Sequence, residues 1–466
     1  MDSEAKFYDL INAQEIMLYA LRFSLNKAIV NIGSAFWMEE KMDLPLLEKA
    51  IYLSIMRNDS MRLRFVKINK TYKQYVSEEK PKKIEIIDLS LLSEEAIDEV
   101  FTKWSSIALK YKDAEAYDIK LVKGPFGKTI MYVKVNHVAL DAWGLTVFGK
   151  DVMRVYGALQ NGKAIPPQPK QFVPIIEKEL LYKNSTRYYK DFEFWKEYYE
   201  TMPTYSSVNK ENVGKEYRSF SFFKVKGKMK KYTLEKEKVN IINEFSIKHR
   251  FSPQILFMVA AWCYFNMINH KDEVIINNVS GRRSSREIKE AAGMMINSLL
   301  LRLKASTQMT FTETCEAFVV EQLKVFRHGD FPYARTTAYI KEKHFKGKGT
   351  ATIADFSLTY QLAKLELEEE GRFIGKCYSN GIQTVPVYLT IMDLSGNGEL
   401  SFNFDYSKDF MSSEAIDDMY IVFLKAIDEG IKNPSSTLGE IIEKILKEEK
   451  KEIPLFLTEE AQVLSE

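Results

Sequence analysis

Apolar residues switch between helical and strand spacing many times along this 466-residue chain. In NAQEIMLYALRF, Ile16, Ala20 and Phe23 recur at helical intervals and predict a first helix. A second is expected from about Leu46 to Met56, because Pro45 suits a first helical turn, where its missing N–H is no loss. MRLRFVKI and TYKQYVSE alternate apolar and polar positions, as half-buried strands do. A polar helix is expected near Ser93 to Lys110, after Asp88-Leu89-Ser90. TIMYVKV, from Thr129 to Val135, reads as a strand that stops at Asn136-His137. Leu145, Phe148, Val152 and Val155 then share one helical stripe that is expected to stop near Gly157. His137 is thereby placed on a strand-to-helix loop, held between rigid flanks as catalytic groups often are.

The Pro-rich stretch GKAIPPQPKQFVP is the best candidate boundary between two parts of the chain. Beyond it come an aromatic helical segment, RYYKDFEFWKEYYE, and then alternating strands and helices. VIINNVSG, INSLLLRLKA, DFSLTYQ, PVYLTIMDL and LSFNFDY read as strands; ILFMVAAWCYFNMI, EAFVVEQLKVFRH and EAIDDMYIVFLKAI read as helices. The mixture predicts an α/β or α+β fold with sizeable sheets. The length exceeds what one core supports, so two lobes of roughly 150 to 250 residues are expected. They are placed at 1–175 and 176–450, followed by a linker at 451–466.

Composition narrows the class. Hydrophobic residues make up 45% and aromatics 13%, enough for packed cores. The 66 Lys and Arg nearly cancel the 64 Asp and Glu, and a net charge of +2 offers no footprint for nucleic acid or an anionic membrane. No apolar run is long enough to span a bilayer, and MDSEAKFYDL lacks the features of a signal peptide. Cys263, Cys315 and Cys377 make no metal-ligand spacing and, being few and odd in number, point to a reducing compartment. The expectation is a cytoplasmic protein with no metal.

Val135 to Gly144 reads VNHVALDAWG. Taken alone, a His followed four residues later by an Asp is weak evidence, since a loop histidine more often makes a local hydrogen bond than performs chemistry. A metal reading lacks further ligands, and a Ser-His-Asp hydrolase lacks a GxSxG elbow.

The whole set of segments resembles the condensation-domain family of nonribosomal peptide synthetases. Its His-His-x-x-x-Asp-Gly motif is matched by Asn136-His137-Val138-Ala139-Leu140-Asp141-Ala142, which keeps the second His and the Asp but has Asn for the first His and Ala for the Gly. Ala13 to Tyr19 resembles AQxRLWF, and Arg57 to Phe65 resembles RHExLRTxF. Val279-Ser280-Gly281-Arg282 matches VxGR, Gly293 to Asn297 matches GxxxN, and His328 to Tyr333 is similar to HQDYPFE. With LSFNFDYSKDFMSSEAI near the end, seven segments in order cover nearly the entire chain.

The resemblance implies a chloramphenicol-acetyltransferase-like fold: two lobes forming a V, with a central tunnel between them. It implies an acyltransferase that forms an amide between a thioester-bound acyl donor and a carrier-bound aminoacyl acceptor. Both substrates would arrive on phosphopantetheine arms of peptidyl or acyl carrier proteins, so this chain needs no cofactor of its own; acyl-CoA is a further possible donor. His137 is the expected catalytic residue, as base or as a group that holds the amine in line. Asp141 is expected to be structural and paired with Arg282, and Asn136 to support the loop. Gly144, Gly293 and Asn297 are candidates for tunnel lining, Pro332 for a turn, and the helix beginning near Trp143 could offer N–H groups to an oxyanion. PLFLTEEAQVLSE is similar to the linker into an adenylation domain. The motifs start within about 15 residues of Met1, so a donor from outside the chain is expected, and a starter domain that acylates the first residue of a lipopeptide stands beside an elongation role. Epimerisation, a non-catalytic docking module and a freestanding coenzyme A-dependent acyltransferase are the alternatives.

Overall fold

TIMYVKVN forms the strand Thr129–Asn136, buried at every position, because it is the middle of a sheet covered on both faces. The computed structural model describes residues 6–39, 41–221, 225–361, 373–393 and 396–452. In this five-stranded sheet the order is Phe373–Tyr378, Asn31–Met38, Thr129–Asn136, Tyr117–Lys123, Glu85–Asp88. All neighbours run antiparallel except Glu85–Asp88 and Tyr117–Lys123. On one face Glu94–Ser105 buries Ile97 and Phe101 against Trp37 and Tyr132. The other face packs on Asn12–Phe23, Leu44–Arg57 and Ala142–Gln160 through Leu21, Ile51, Phe148 and Val152.

The second sheet has six strands in the order Asn297–Lys304, Glu273–Ser280, Phe356–Gln361, Val387–Met392, Leu400–Ser407, Gly227–Leu234. Its core is the almost wholly apolar helix Gln254–Asn269 with Phe311–Phe326 and Ser413–Lys432, packed on Phe356, Leu389, Phe402 and Phe404. A helix apolar on all sides belongs in such an interior. The mixed architecture is the α/β fold expected, and the strand and helix positions follow the apolar spacing closely.

Two helix ends differ. The polar helix stops at Ser105 rather than near Lys110. The motif helix runs through Gly157 to Gln160, where the Asn161 amide donates to the Gly157 carbonyl at 2.9 Å and closes the last turn.

The expected boundary at residue 175 does not separate the two packed bodies. Ala291, Ala292, Met294 and Met295 from the second half lie in the first core. The strand Phe373–Tyr378 also crosses over, pairing along its whole length with Asn31–Met38. Of the expected linker at 451–466, the first two positions end the helix Leu438–Glu452, and 453–466 lie outside the described residues.

Candidate active site

The loop after Thr129–Asn136 is tied down before any substrate is considered. The Asn136 N–H donates to Ala116 O and the His137 N–H to Val30 O, both at 2.7 Å. Asn136 Oδ1 accepts from the Val138 N–H at 3.0 Å and its carbonyl accepts from Ala139. Asn136 thus ties the turn after the strand through both its side-chain and its backbone oxygen.

Asp141 is the N-cap of Ala142–Gln160: its Oδ1 accepts from the Gly144 N–H at 2.7 Å. Oδ1 also accepts from Arg283 Nη2 at 2.8 Å, and Oδ2 from the Met295 N–H at 2.9 Å. With side-chain exposures of 2% and 1%, Arg283 and Asp141 form a fully buried ion pair. Arg283 further donates to the carbonyls of Ile288, Ala291 and Gly293. The carboxylate is therefore fully engaged with the cap, the arginine and the strap 291–295, and makes no bond to His137. That geometry ties Asp141 to the helix cap, the arginine and the strap rather than to His137.

The expected partner Arg282 is corrected to Arg283. Arg282 takes a left-handed backbone, φ 52°, which turns its side chain the other way. It donates to Glu179 Oε2 at 2.9 Å and to Asp330 at 3.1 Å. Glu179 Oε1 in turn accepts from the Asn12 N–H at 2.8 Å. Arg282 thereby joins the first helix, the helix Val173–Tyr182 and the segment His328–Tyr333. The adjacent arginines were the available signal, but spacing alone could not say which one turns toward Asp141.

The three candidate tunnel-lining residues are packed inside the protein instead. A Cβ on Gly144 would lie 2.7 Å from Gly293 N, and one on Gly293 only 2.3 Å from the Phe172 ring. Asn297 is buried, donating to the carbonyls of Gly329 and Phe331, both at 2.8 Å. Gly144 and Gly293 let the motif helix and the strap touch backbone to backbone. Gly293→Ala should accordingly cost about 1–3 kcal/mol by overpacking and lower the thermal midpoint, which differential scanning calorimetry would read; an unchanged midpoint would contradict the close approach. Pro332 precedes the helix Tyr333–Phe345, and its carbonyl accepts from Arg335 and Thr336. The Gly144 and Leu145 N–H groups are both taken by Asp141, so the oxyanion expectation rests on Ala142 and Trp143 alone.

Among the described residues His137 Nδ1 is sealed from solvent and has no hydrogen-bond partner, yet the residue keeps part of its surface open. Burial pushes its pKa below the ordinary histidine value; the Asp141 carboxylate and the carbonyls of His137 and Leu140 pull the other way and are outweighed. Burial thus favours the neutral ring over the imidazolium. Sequence reasoning missed Asn380, from the segment after the crossing strand, which donates to Asn31 O at 3.0 Å and braces the loop that holds His137.

A cavity of about 740 Å³ lies between the lobes. Ile16 and Tyr19 of the first helix line one side; Asn277, Leu300, Tyr333 and Ser357 line the other. The size suits a small-molecule or acyl group. Among the described residues no group of His, Cys, Asp and Glu could hold a metal ion, and no helix is long and apolar enough to cross a membrane.

The sequence model described as "Condensation domain" matches residues 4–453. One of the plipastatin synthase subunits of Bacillus subtilis is 24% identical over 437 residues, covering 93% of this chain and 17% of the synthase. Surfactin synthase subunit 1 of the same organism is 25% identical over 452 residues, covering 94% of this chain and 12% of that protein. The chain thus spans less than a fifth of the length of these relatives. Among solved structures, a mutant starter condensation domain of rhizomide synthetase in complex with C8-CoA superposes with a TM-score of 0.81 at 15% identity, covering 93% of this chain and 97% of that one. The first condensation domain of the calcium-dependent antibiotic synthetase, with a substrate analogue, gives a TM-score of 0.78 at 16% identity, covering 93% of this chain and 99% of that one.

Proposed function

The chain belongs to the condensation-domain family, and from that premise we propose that it joins a thioester-bound acyl group to the amine of a carrier-bound aminoacyl group. The observation that carries this reading is the His137 imidazole, part of its surface still open, on a loop braced from both lobes. An α-amino group has a pKa near 8, so roughly a tenth is already neutral at pH 7. Its lone pair attacks the thioester carbonyl, and the nitrogen must lose a second proton as the C–N bond forms. His137 Nε2 accepts that proton or holds the amine in line. Collapse of the tetrahedral oxyanion breaks the C–S bond, and the departing thiolate takes up the proton. Asp141, Arg283 and Asn136 keep the loop in place and touch no reacting atom.

The partners of this reading are carrier proteins bearing phosphopantetheine arms, with an adenylation domain loading the acceptor, all in the cytoplasm. Similarity to the rhizomide starter domain, whose structure contains C8-CoA, supports a fatty acyl donor and so a starter role in lipopeptide synthesis. Purified protein should be given an aminoacyl carrier with either a fatty acyl thioester or a peptidyl carrier. N-acylated amino acid on the acceptor carrier is the expected product, seen by mass spectrometry. Product from the peptidyl donor alone would overturn the starter role and leave elongation; no product from either donor would favour a non-catalytic docking module.

A further inference from the structure

Along Leu400–Ser407, Phe402, Phe404 and Tyr406 point into the helix-covered core. Strand alternation turns Asn403 and Asp405 to the opposite face. Asp405 pairs in register with Tyr388 on one side and Met229 on the other. Lys231, two residues beyond Met229, shares that face and donates from Nζ to Cys377 O at 2.6 Å on the strand that crosses into the first sheet. The face therefore abuts the other lobe.

Asp405, Tyr388, Cys377 and Tyr333 are each partly buried. Tyr333 and Ser357 line the 740 Å³ cavity. In register across the sheet, Ser357 is opposite Tyr388 and Tyr388 is opposite Asp405, so one row of the sheet runs from the cavity wall to Asp405. The Asp405 carboxylate has no hydrogen-bond donor among the described residues. Lys231 spends its ammonium on Cys377 O, and the Tyr388 hydroxyl pairs with Thr359 at 2.8 Å. Burial pushes Asp405 up to about 7, with the Lys231 charge pulling it down. An unpaired carboxylate at such depth is costly, and an arriving cation would relieve that cost.

We propose that Asp405 is a subsite for a primary ammonium group that one of the two substrates carries into the space between the lobes. The proposal rests on the reading that pantetheine-tethered substrates enter this space. The ammonium takes the place Lys231 leaves open, and Asp405 ionises fully when it arrives. The group is the α-ammonium of the aminoacyl acceptor, or an ammonium at the far end of an acceptor side chain or donor acyl chain.

Four pantetheine amides of equal chain length separate these sources: pentanoyl, norvalyl, 5-aminopentanoyl and ornithyl. Their binding to the full chain is measured by calorimetry, which needs no turnover, so a failure of amide formation would not be confused with a failure of this subsite. At least one ammonium-bearing probe should bind about 10-fold or more tightly than pentanoyl-pantetheine. In Asp405→Asn that preference should fall to about 2-fold or less, with pentanoyl affinity and thermal midpoint retained. A preference for norvalyl assigns the α-ammonium, and one for 5-aminopentanoyl and ornithyl assigns a distal ammonium. In the latter case, turnover with distal amines placed on the donor or on the acceptor tells the two apart. Equal affinity for all four probes, or a preference that survives Asp405→Asn, would overturn the proposal.

Discussion

His137→Ala is expected to lower amide formation by about 10²-fold or more while leaving thermal unfolding unchanged. Among the described residues Nδ1 has no hydrogen-bond partner, and the loop is held by the backbone of Asn136 and His137. The rate of the unsubstituted protein should also report the ring's surroundings. Burial disfavours the imidazolium, so the neutral, proton-accepting form persists as the solution is acidified. Beside the ionisation of the acceptor's α-amino group near 8, kcat/KM should therefore show a second acid ionisation below the ordinary histidine value of about 6.5. Near-wild-type turnover by His137→Ala would remove the residue from the mechanism. A second ionisation, absent from His137→Ala, that lies above that value would show that a partner holds the ring charged.

Asp141→Ala should destabilise the protein by about 3–5 kcal/mol, because it leaves the Arg283 guanidinium buried without its counter-charge. It also removes the cap from Ala142–Gln160 and the acceptor for the Met295 N–H. Activity should fall with stability, through displacement of the loop. A double-mutant cycle identifies the partner. Asp141→Ala and Arg283→Ala should be strongly coupled, whereas Asp141→Ala and Arg282→Ala should add to within about 0.5 kcal/mol, since Arg282 is bound to Glu179 and Asp330. Coupling to Arg282 instead, or loss of turnover with unchanged melting, would restore a different role for the aspartate.

The elements were legible because their apolar spacing is strong. Ile16, Ala20 and Phe23 really do mark a helix, and LSFNFDY places Phe402 and Phe404 in a core as a strand should. His137 and Asp141 were legible from the order of the family's segments. What pattern could not supply was direction. Arg282 and Arg283 differ by one position, and only the positive φ of Arg282 decides which reaches Asp141. Gly144 and Gly293 were tunnel-lining candidates through the family resemblance alone, whereas they bring two segments distant in the chain into contact. Asp405 gave no local signal, since a single acid in a strand is ordinary until its neighbours' hydrogen bonds are known.

The strand Phe373–Tyr378 borders Asn31–Met38 along its full length, and this sets a timetable for the protein as it is made. At about 5–20 residues per second, Asn31–Met38 leaves the ribosome tens of seconds before its neighbour is translated. Through that interval the nascent first lobe presents a bare sheet edge, with apolar Ala35, Phe36 and Trp37 along it. Such edges recruit other strands, so until Phe373–Tyr378 arrives the growing chain is open to wrong pairing along Asn31–Met38. A protein truncated anywhere before residue 373 would keep that edge permanently.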